Sequence, residues 1–366
     1  MKICYLADAG SVHTKKWCDF FKKKGHDIHV ISLNPGKIDG VTVHSLDIET
    51  ERVKNGSSFY KVRYVFKIFQ IRSILKKIKP DMVHAHYASS YGLIGALLNY
   101  HPYVISVWGS DIYEFPLKGK LFEKIIKFNL SRADKILSTS KAMADEAKKY
   151  IDKKIYITPF GVDRNIFKPI DNKKEDKENK ENILIGIVKT LDPKYGIEYL
   201  IRAFAMIKKE YNNAKLEIAG DGNQREYLEN LCCELNIKED VKFLGRINTS
   251  EVVEAFNRFD IAVFPSINES FGVAAVEAQA CGVPVIVSNV GGLPEATSHG
   301  YSSIVVEKEN PEEIYEALKK LIDDEDLRKQ MGKNGVKFVA ENFDVIDNFN
   351  YVSTIYDKII DEFNLK

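Results

Sequence analysis

The chain has 366 residues, 45% of them hydrophobic, and a net charge of +1, enough length for two cores rather than one. No run approaches the roughly 18 apolar residues needed to span a bilayer, and the start lacks the apolar run and cleavage site of a signal peptide, so a cytoplasmic protein is expected. The five cysteines, Cys4, Cys18, Cys232, Cys233 and Cys281, form no C-x-x-C pair and no even-numbered framework, which speaks against a disulfide scaffold, a zinc site and redox chemistry.

The near-zero charge conceals an asymmetry. Residues 1–165 carry 28 Lys/Arg against 16 Asp/Glu, a net +12, and residues 166–366 carry −11. A basic half suits an anionic membrane surface, a phosphate-bearing acceptor or nucleic acid; solvated surface lysine is the plain alternative.

In chain order, an apolar run at residues 3–7 leads into Asp8-Ala9-Gly10-Ser11, then a helical pattern (Val12, Trp17, Phe20, Phe21) ending at Gly25, then a strand at 28–31. That is a βαβ unit with a small-residue turn at the mouth of its first strand. Residues 60–79 put Val62, Val65, Phe66, Phe69, Ile74 and Ile78 on one helical face rimmed by lysine and arginine; the stripe suits either a packed surface helix or an anionic membrane. Further strands are predicted at 82–86, 103–107, 135–138 and 155–158, giving a parallel sheet. Residues 173–182, KKEDKENKEN, hold no apolar residue and read as a solvated linker. After it the alternation restarts, with strands at 183–188, 215–219, 241–244, 261–264, 284–287 and 303–306. Helices are predicted at about 196–210, 223–236, 249–258, 271–281 and 310–322. The domains are therefore placed at 1–165 and 183–344, joined by a linker at 166–182, with a last helix at 345–366 packing back on the first. Two doubly wound α/β domains are expected to offer a ligand cleft between the C-terminal ends of their strands.

The most informative stretch is residues 261–292, IAVFPSINESFGVAAVEAQACGVPVIVSNVGG. A strand ends at Pro265-Ser266, a polar loop brings Glu269, and a helix opens near Phe271-Gly272, so Glu277 lies about two turns in. The N–H groups of Ser270, Phe271, Gly272 and Val273 at that helix start suit a diphosphate. A carboxylate grips pairs of adjacent hydroxyls, so one glutamate suits a hexose and the other a ribose. A loop cap and a solvated helix residue are the plainer readings, but Glu277 sits among Ala274, Ala275, Val276, Ala278, Ala280 and Cys281.

The segment ESFGVAAVEAQACGVPV resembles the E-x7-E signature of retaining glycosyltransferase family four. Further landmarks stand at Asp81–Tyr87, Trp108–Asp111, Thr158–Asp163, Ala219–Gly222, Phe243–Arg246 and Gly291–Glu295. The resemblance covers nearly the whole chain. It implies a GT-B fold, two Rossmann-like domains facing a central cleft, and transfer of a sugar from a nucleotide diphosphate donor to a saccharide or lipid-linked acceptor. It further implies that Glu269 contacts the transferred sugar, that residues 271–273 supply backbone to sugar and phosphate, that Glu277 binds the ribose, and that Arg246 lines the base pocket.

The family's usual G-R-L-x-x-x-K-G is altered here. Aligned on Leu191 and Gly196, Thr190 takes the arginine position and Tyr195 the lysine position, with Lys189 and Lys194 each one residue earlier. Both lysines are expected to restore the phosphate contacts, as fixed cations that make a metal or other cofactor unnecessary; Asp324-Glu325-Asp326 reads as a helix cap rather than a metal site. The histidine often found before Gly-x-Asp is replaced by Trp108. Asp111, His86 and His13 are candidates for contacting the reacting groups, each with a structural reading beside it, and Gly10 offers a turn that lets a ligand approach closely. Retention in the family is described as front-face attack without a protein nucleophile. A nicotinamide oxidoreductase is excluded by the absence of G-x-G-x-x-G; an epimerase on the same scaffold and a non-enzymatic binder are the rivals, and no nucleic-acid motif is present.

Overall fold

The computed structural model describes residues 1–46, 62–170 and 182–365. The chain divides into two compact units, one of Met1–Pro159 with Ile346–Lys366 and one of Phe160–Val345.

The strands are β1 Lys2–Leu6, β2 Asp27–Ser32, β3 Thr42–Ser45, β4 Met82–His86, β5 Tyr103–Val107, β6 Lys135–Ser138, β7 Ile155–Ile157, β8 Ile183–Val188, β9 Ala214–Ala219, β10 Val241–Gly245, β11 Ile261–Phe264, β12 Val285–Ser288 and β13 Ser303–Val306. The helices of the first unit are α1 Val12–Lys23, α2 Val62–Ile78, α3 Ser90–Leu98, α4 Ser110–Tyr113, α5 Lys120–Arg132 and α6 Lys141–Ala147. Those that follow are α7 Ile197–Glu210, α8 Arg225–Glu234, α9 Thr249–Arg258, α10 Val273–Ala280, α11 Leu293–Ala296, α12 Pro311–Asp323, α13 Glu325–Asn342 and α14 Val345–Asn364.

In the first unit the strand order is β3-β2-β1-β4-β5-β6-β7, and in the second β10-β9-β8-β11-β12-β13; every pairing is parallel. Central strands such as β4, β5 and β11 are buried at every residue, the near-continuous apolar pattern of a sheet covered on both faces. Each order reverses once, between β1 and β4 and between β8 and β11. Ligands of open α/β sheets gather at the carboxyl ends of such switch-point strands.

Residues 160–170, expected in the first domain and the linker, belong to the second unit. Val162 bridges Asp344 and Phe167 is buried in that unit's core. The linker call otherwise falls on 171–181, outside the described residues. The short β3 was not anticipated, since Thr42-Val43-His44-Ser45 carries a single apolar residue. The final helix α14 returns to the first unit as expected, seating Phe349 against Trp17 and Tyr356 against Phe21 at ring distances of 5.2 and 4.9 Å.

In helix α2, Ile68, Ile71, Leu75 and Ile78 are buried, an i, i+3, i+7, i+10 set that faces the core. Of the stripe anticipated above, Ile78 is buried, Ile74 half-buried and Phe69 73% exposed, while the side chains of Val62, Val65 and Phe66 lie outside the described residues.

Candidate functional site

The second unit builds its site where β8 and β11 end. Lys189, the first residue after β8, is fixed by its backbone N–H donating to Ala219 O at 2.9 Å. Its Nζ forms an ion pair with Glu269 Oε2, in the loop that follows β11. Both side chains are largely buried, 14% and 10% exposed. Lys189 also borders a cavity of about 450 Å³ lined by Val188, Thr190, Gly220, Asp221, Arg246 and Ile247, among others. Lys189 therefore belongs both to the wall of the cavity and to the ion pair with Glu269.

Close loop packing produces this arrangement. A Cβ at Gly220 would lie 1.8 Å from Lys189 O, and one at Gly291 1.8 Å from Glu269 O, and both glycines have positive φ. Only glycine lets these chains approach so closely. Lys194 O accepts from Ile267 N and Asn268 N at 2.8 and 3.1 Å, tying the loop after β8 to the loop that carries Glu269. Below it α10 opens with Gly272 as its N-cap, in the left-handed region. The first N–H groups of a helix have no intrahelical acceptor; here Ala275 N and Val276 N already donate to Gly272 O at 3.0 and 3.2 Å, which leaves the N–H groups of Val273 and Ala274 at the helix start. Ser270 is half-buried, while Phe271 is only 2% exposed, packing its ring on Phe343 at 5.3 Å and its backbone against Gly292, and Gly272 is buried as well. Glu277 lies half-buried in the second turn of α10. Arg246 is exposed on the cavity wall.

Lys194 and Tyr195 join the same cluster. The Tyr195 ring lies 4.3 Å from Lys189 Nζ and 5.3 Å from Lys194 Nζ. Of the other cavity-lining residues, Thr190 was marked in the sequence only for standing at the family's arginine position, and Ile247 and Val252 were not singled out. Ala219–Gly222 was visible as a motif, whereas nothing marks Val252 of α9 apart from ordinary helix apolarity. The acidic stretch at 323–326 caps and anchors: Asp324 accepts from Leu327 N at 2.8 Å and Asp323 from Tyr211 Oη at 2.6 Å.

The remaining candidates lie on the first unit, at the carboxyl ends of β1, β4 and β5. Gly10 is exposed, with its N–H on Asp8 Oδ1 at 2.9 Å, in a turn open to a ligand. Asp111 is fully buried, and its carboxylate accepts from Ala88 N at 2.7 Å, Gly109 N at 2.8 Å and Trp108 N at 3.2 Å. Burial pushes its carboxyl upward against the pull of those N–H groups. Asp111 is thus a clasp for the turn after β5, and its oxygens are engaged by backbone rather than presented as a base. His86 is 1% exposed, lying under Trp108 with ring centroids 4.5 Å apart and beside Tyr5 and Trp17 at 5.0 Å. It is a core histidine, shut off from the contact proposed for it. Burial drives it well below the usual histidine range, with His84 and His13 adding to the effect. His13 sits edge-on to Trp108 at 5.7 Å, its imidazole lowered to about 4 by burial and then by Lys16. His84, beneath this edge, bonds Tyr356 Oη through Nδ1 at 2.5 Å and Ser106 Oγ through Nε2 at 2.8 Å.

A glycosyl transferases group 1 family model matches residues 168–338 and a glycosyl transferase 4-like model residues 2–140. An uncharacterized glycosyltransferase of Methanocaldococcus jannaschii is 30% identical over 325 residues, 86% of this chain and 85% of its own. The capsular polysaccharide biosynthesis glycosyltransferase CapM of Staphylococcus aureus is 28% identical, covering 94% and 93%. Among solved structures, a sucrose-phosphate synthase from Thermosynechococcus elongatus superposes with TM-score 0.85 at 18% identity, covering 99% and 100% of the two chains. Anabaena HepE in complex with UDP-glucose superposes with TM-score 0.80 at 18% identity, covering 98% and 100%. Two parallel-sheet Rossmann-like units of this kind define a glycosyltransferase of GT-B architecture. The chain belongs to glycosyltransferase family four.

The buried histidines give the first unit a defined acid response. His84 is lowered to about 3 by burial, while an unfolded histidine titrates near 6.5. Between those values the unfolded chain binds more protons, so stability is lost as pH falls below about 6.5. Each such histidine adds up to ~1.4 kcal/mol per pH unit. Urea unfolding of wild type and H84N from pH 6.5 to 5.5 should show a shallower loss in the variant. Equal slopes would contradict the buried neutral imidazole.

Proposed function

We propose that this enzyme moves a hexose or related sugar from a nucleoside diphosphate sugar to a saccharide or lipid-linked acceptor, with retention of anomeric configuration, in the synthesis of a cell-surface glycan. The observation that carries the donor half is Lys189, which borders the cavity and pairs with Glu269. On this reading the nucleoside fills the cavity, with Arg246 beside the base and Glu277 on the ribose. The diphosphate crosses Lys189 and Lys194 toward the N–H groups at residues 270–273, and Glu269 takes the sugar hydroxyls. Fixed cations and helix N–H groups answer the negative charge that develops on the leaving phosphate, so no metal or other cofactor is assigned. The acceptor oxygen attacks the anomeric carbon, the bond to the diphosphate breaks, and the acceptor proton passes to the departing phosphate oxygen. Glu269 is already engaged by an ammonium group, which favours holding over nucleophilic attack.

One relative is named for capsular polysaccharide biosynthesis, which supports a glycan role in general terms. For the acceptor we assign the first unit, with Gly10 and His13 at the accessible edge. No helix among the described residues is long and apolar enough to cross a membrane. A peripheral contact at the cytoplasmic face is nevertheless favoured by Leu117 and Leu121, 76% and 67% exposed, flanked by the exposed Lys118, Lys120 and Lys124. Apolar side chains among lysines suit an anionic lipid surface.

Two experiments test these assignments. In a panel of nucleotide sugars scored by thermal shift, the true donor at 100 times its dissociation constant should stabilise by ~2.7 kcal/mol, and E269A should lower kcat/KM with that donor about 10- to 150-fold, the range for a lost charged hydrogen bond. No stabilisation by any nucleotide sugar would overturn the donor reading. Flotation with phosphatidylglycerol vesicles at low salt should recover wild type and lose L117D/L121D; wild type left unbound would remove the membrane contact.

A further inference from the structure

We infer that Tyr195 is a positioning residue for the donor diphosphate: its ring holds the two displaced lysines where their ammonium groups meet the phosphates. This rests on the donor reading above and assigns a role to the residue that stands where the family places a lysine.

Lys189 Nζ lies 4.3 Å and Lys194 Nζ 5.3 Å from the ring centroid, both inside the distance at which an aromatic face attracts a cation. The two lysines are five residues apart, one directly after β8 and the other inside a short 3₁₀ turn, Pro193–Tyr195, and lysine side chains left to solvent sample many rotamers. A shared ring reduces that freedom for both. The ring itself is fixed by its backbone. Asp192 caps the turn by accepting from Lys194 N at 3.1 Å, Lys194 O accepts from Ile267 N and Asn268 N, and Gly196 follows with φ 59°, where a Cβ would strike Pro265 O at 2.2 Å. The turn can neither slide along nor lift from the loop that leads to Glu269. Tyr195 is half-buried against the hydrophobic core of the unit, so its position follows from packing rather than from the lysines it serves.

The arrangement also explains how a chain without arginine at 190 or lysine at 195 keeps two cations at this place. Lys189 starts one residue earlier than the usual arginine. It folds over the ring toward Glu269, with the cavity on its other flank. A diphosphate arriving there meets a cation whose direction is already set, which lowers the ordering cost of binding.

The test compares nucleoside diphosphates with their monophosphates. Isothermal titration of UDP, GDP and ADP, each paired with its monophosphate, into wild type, Y195F and Y195L identifies the base and reads the phosphate contribution separately. Wild type should prefer one diphosphate over its monophosphate. Y195L should lose about tenfold of diphosphate affinity, in the range for two cation–π contacts, and leave monophosphate affinity unchanged, while Y195F retains wild-type values because the ring remains. A general structural defect would weaken both ligands, and Y195L weakening the monophosphate equally would overturn the positioning role. Diphosphate preference that survives intact in Y195L would overturn it too, leaving the donor reading in place. A wild type that binds no nucleoside diphosphate above its monophosphate would overturn that reading and this inference together.

Discussion

An ammonium and a carboxylate, Lys189 and Glu269, meet where the second sheet reverses its strand order, and the rest of the site is arranged around keeping them there. Neither side chain is more than 14% exposed. A pair so far removed from water gains little net stability, because desolvation offsets most of the attraction. Its arrangement is better understood through what surrounds it. Gly220 lets the strand carrying Lys189 lie against the loop after β9, Gly291 lets the loop after β12 lie against Glu269, and the turn at 193–196 is bonded to the loop between them. Four loops from four parallel strands thereby converge on one charge pair.

The two units differ in how they handle polar groups at the same topological place. At the mouth of β8 and β11, a largely buried charge pair is kept beside a cavity. At the mouth of β1 and β4, the polar groups are turned inward: Asp111 fastens backbone, and His84 and His86 lie among Tyr5, Trp17 and Tyr356. The first arrangement suits a charged ligand, held by groups that are already oriented. The second produces a stiff edge, with α14 locked beneath it through Tyr356 and His84, on which short loops can vary without disturbing the sheet. Acceptor diversity in a family with a shared donor chemistry is consistent with that division.

Much of this was legible in the sequence. The second unit's strands and helices follow from apolar runs punctuated by Gly, Pro and Asn, and β11 with α9 fall on the residues anticipated. Glu269 and Glu277 were visible because two carboxylates flank a helix start in an otherwise small and apolar stretch. What sequence could not supply was direction. Asp111 and His86 stand at strand ends, where polar residues often reach ligands, yet packing turned both inward; no local pattern distinguishes a histidine beneath Trp108 from one above it. Phe69 fits a helical stripe by spacing alone, but the stripe that packs is the one through Ile71 and Leu75. Tyr195 looked like the loss of a cation, and only its ring's distance from two lysines gives it another meaning.

If, as proposed, Lys189 meets the diphosphate and Glu269 the sugar, the two residues act on different parts of one ligand. Calorimetric titration of K189A and E269Q with the preferred nucleoside diphosphate and with its sugar conjugate separates them. K189A should weaken both ligands, and E269Q should weaken the sugar conjugate alone by about tenfold or more, the scale of one charged hydrogen bond. Equal weakening of the bare diphosphate by E269Q, or an unchanged diphosphate affinity in K189A, would contradict that assignment.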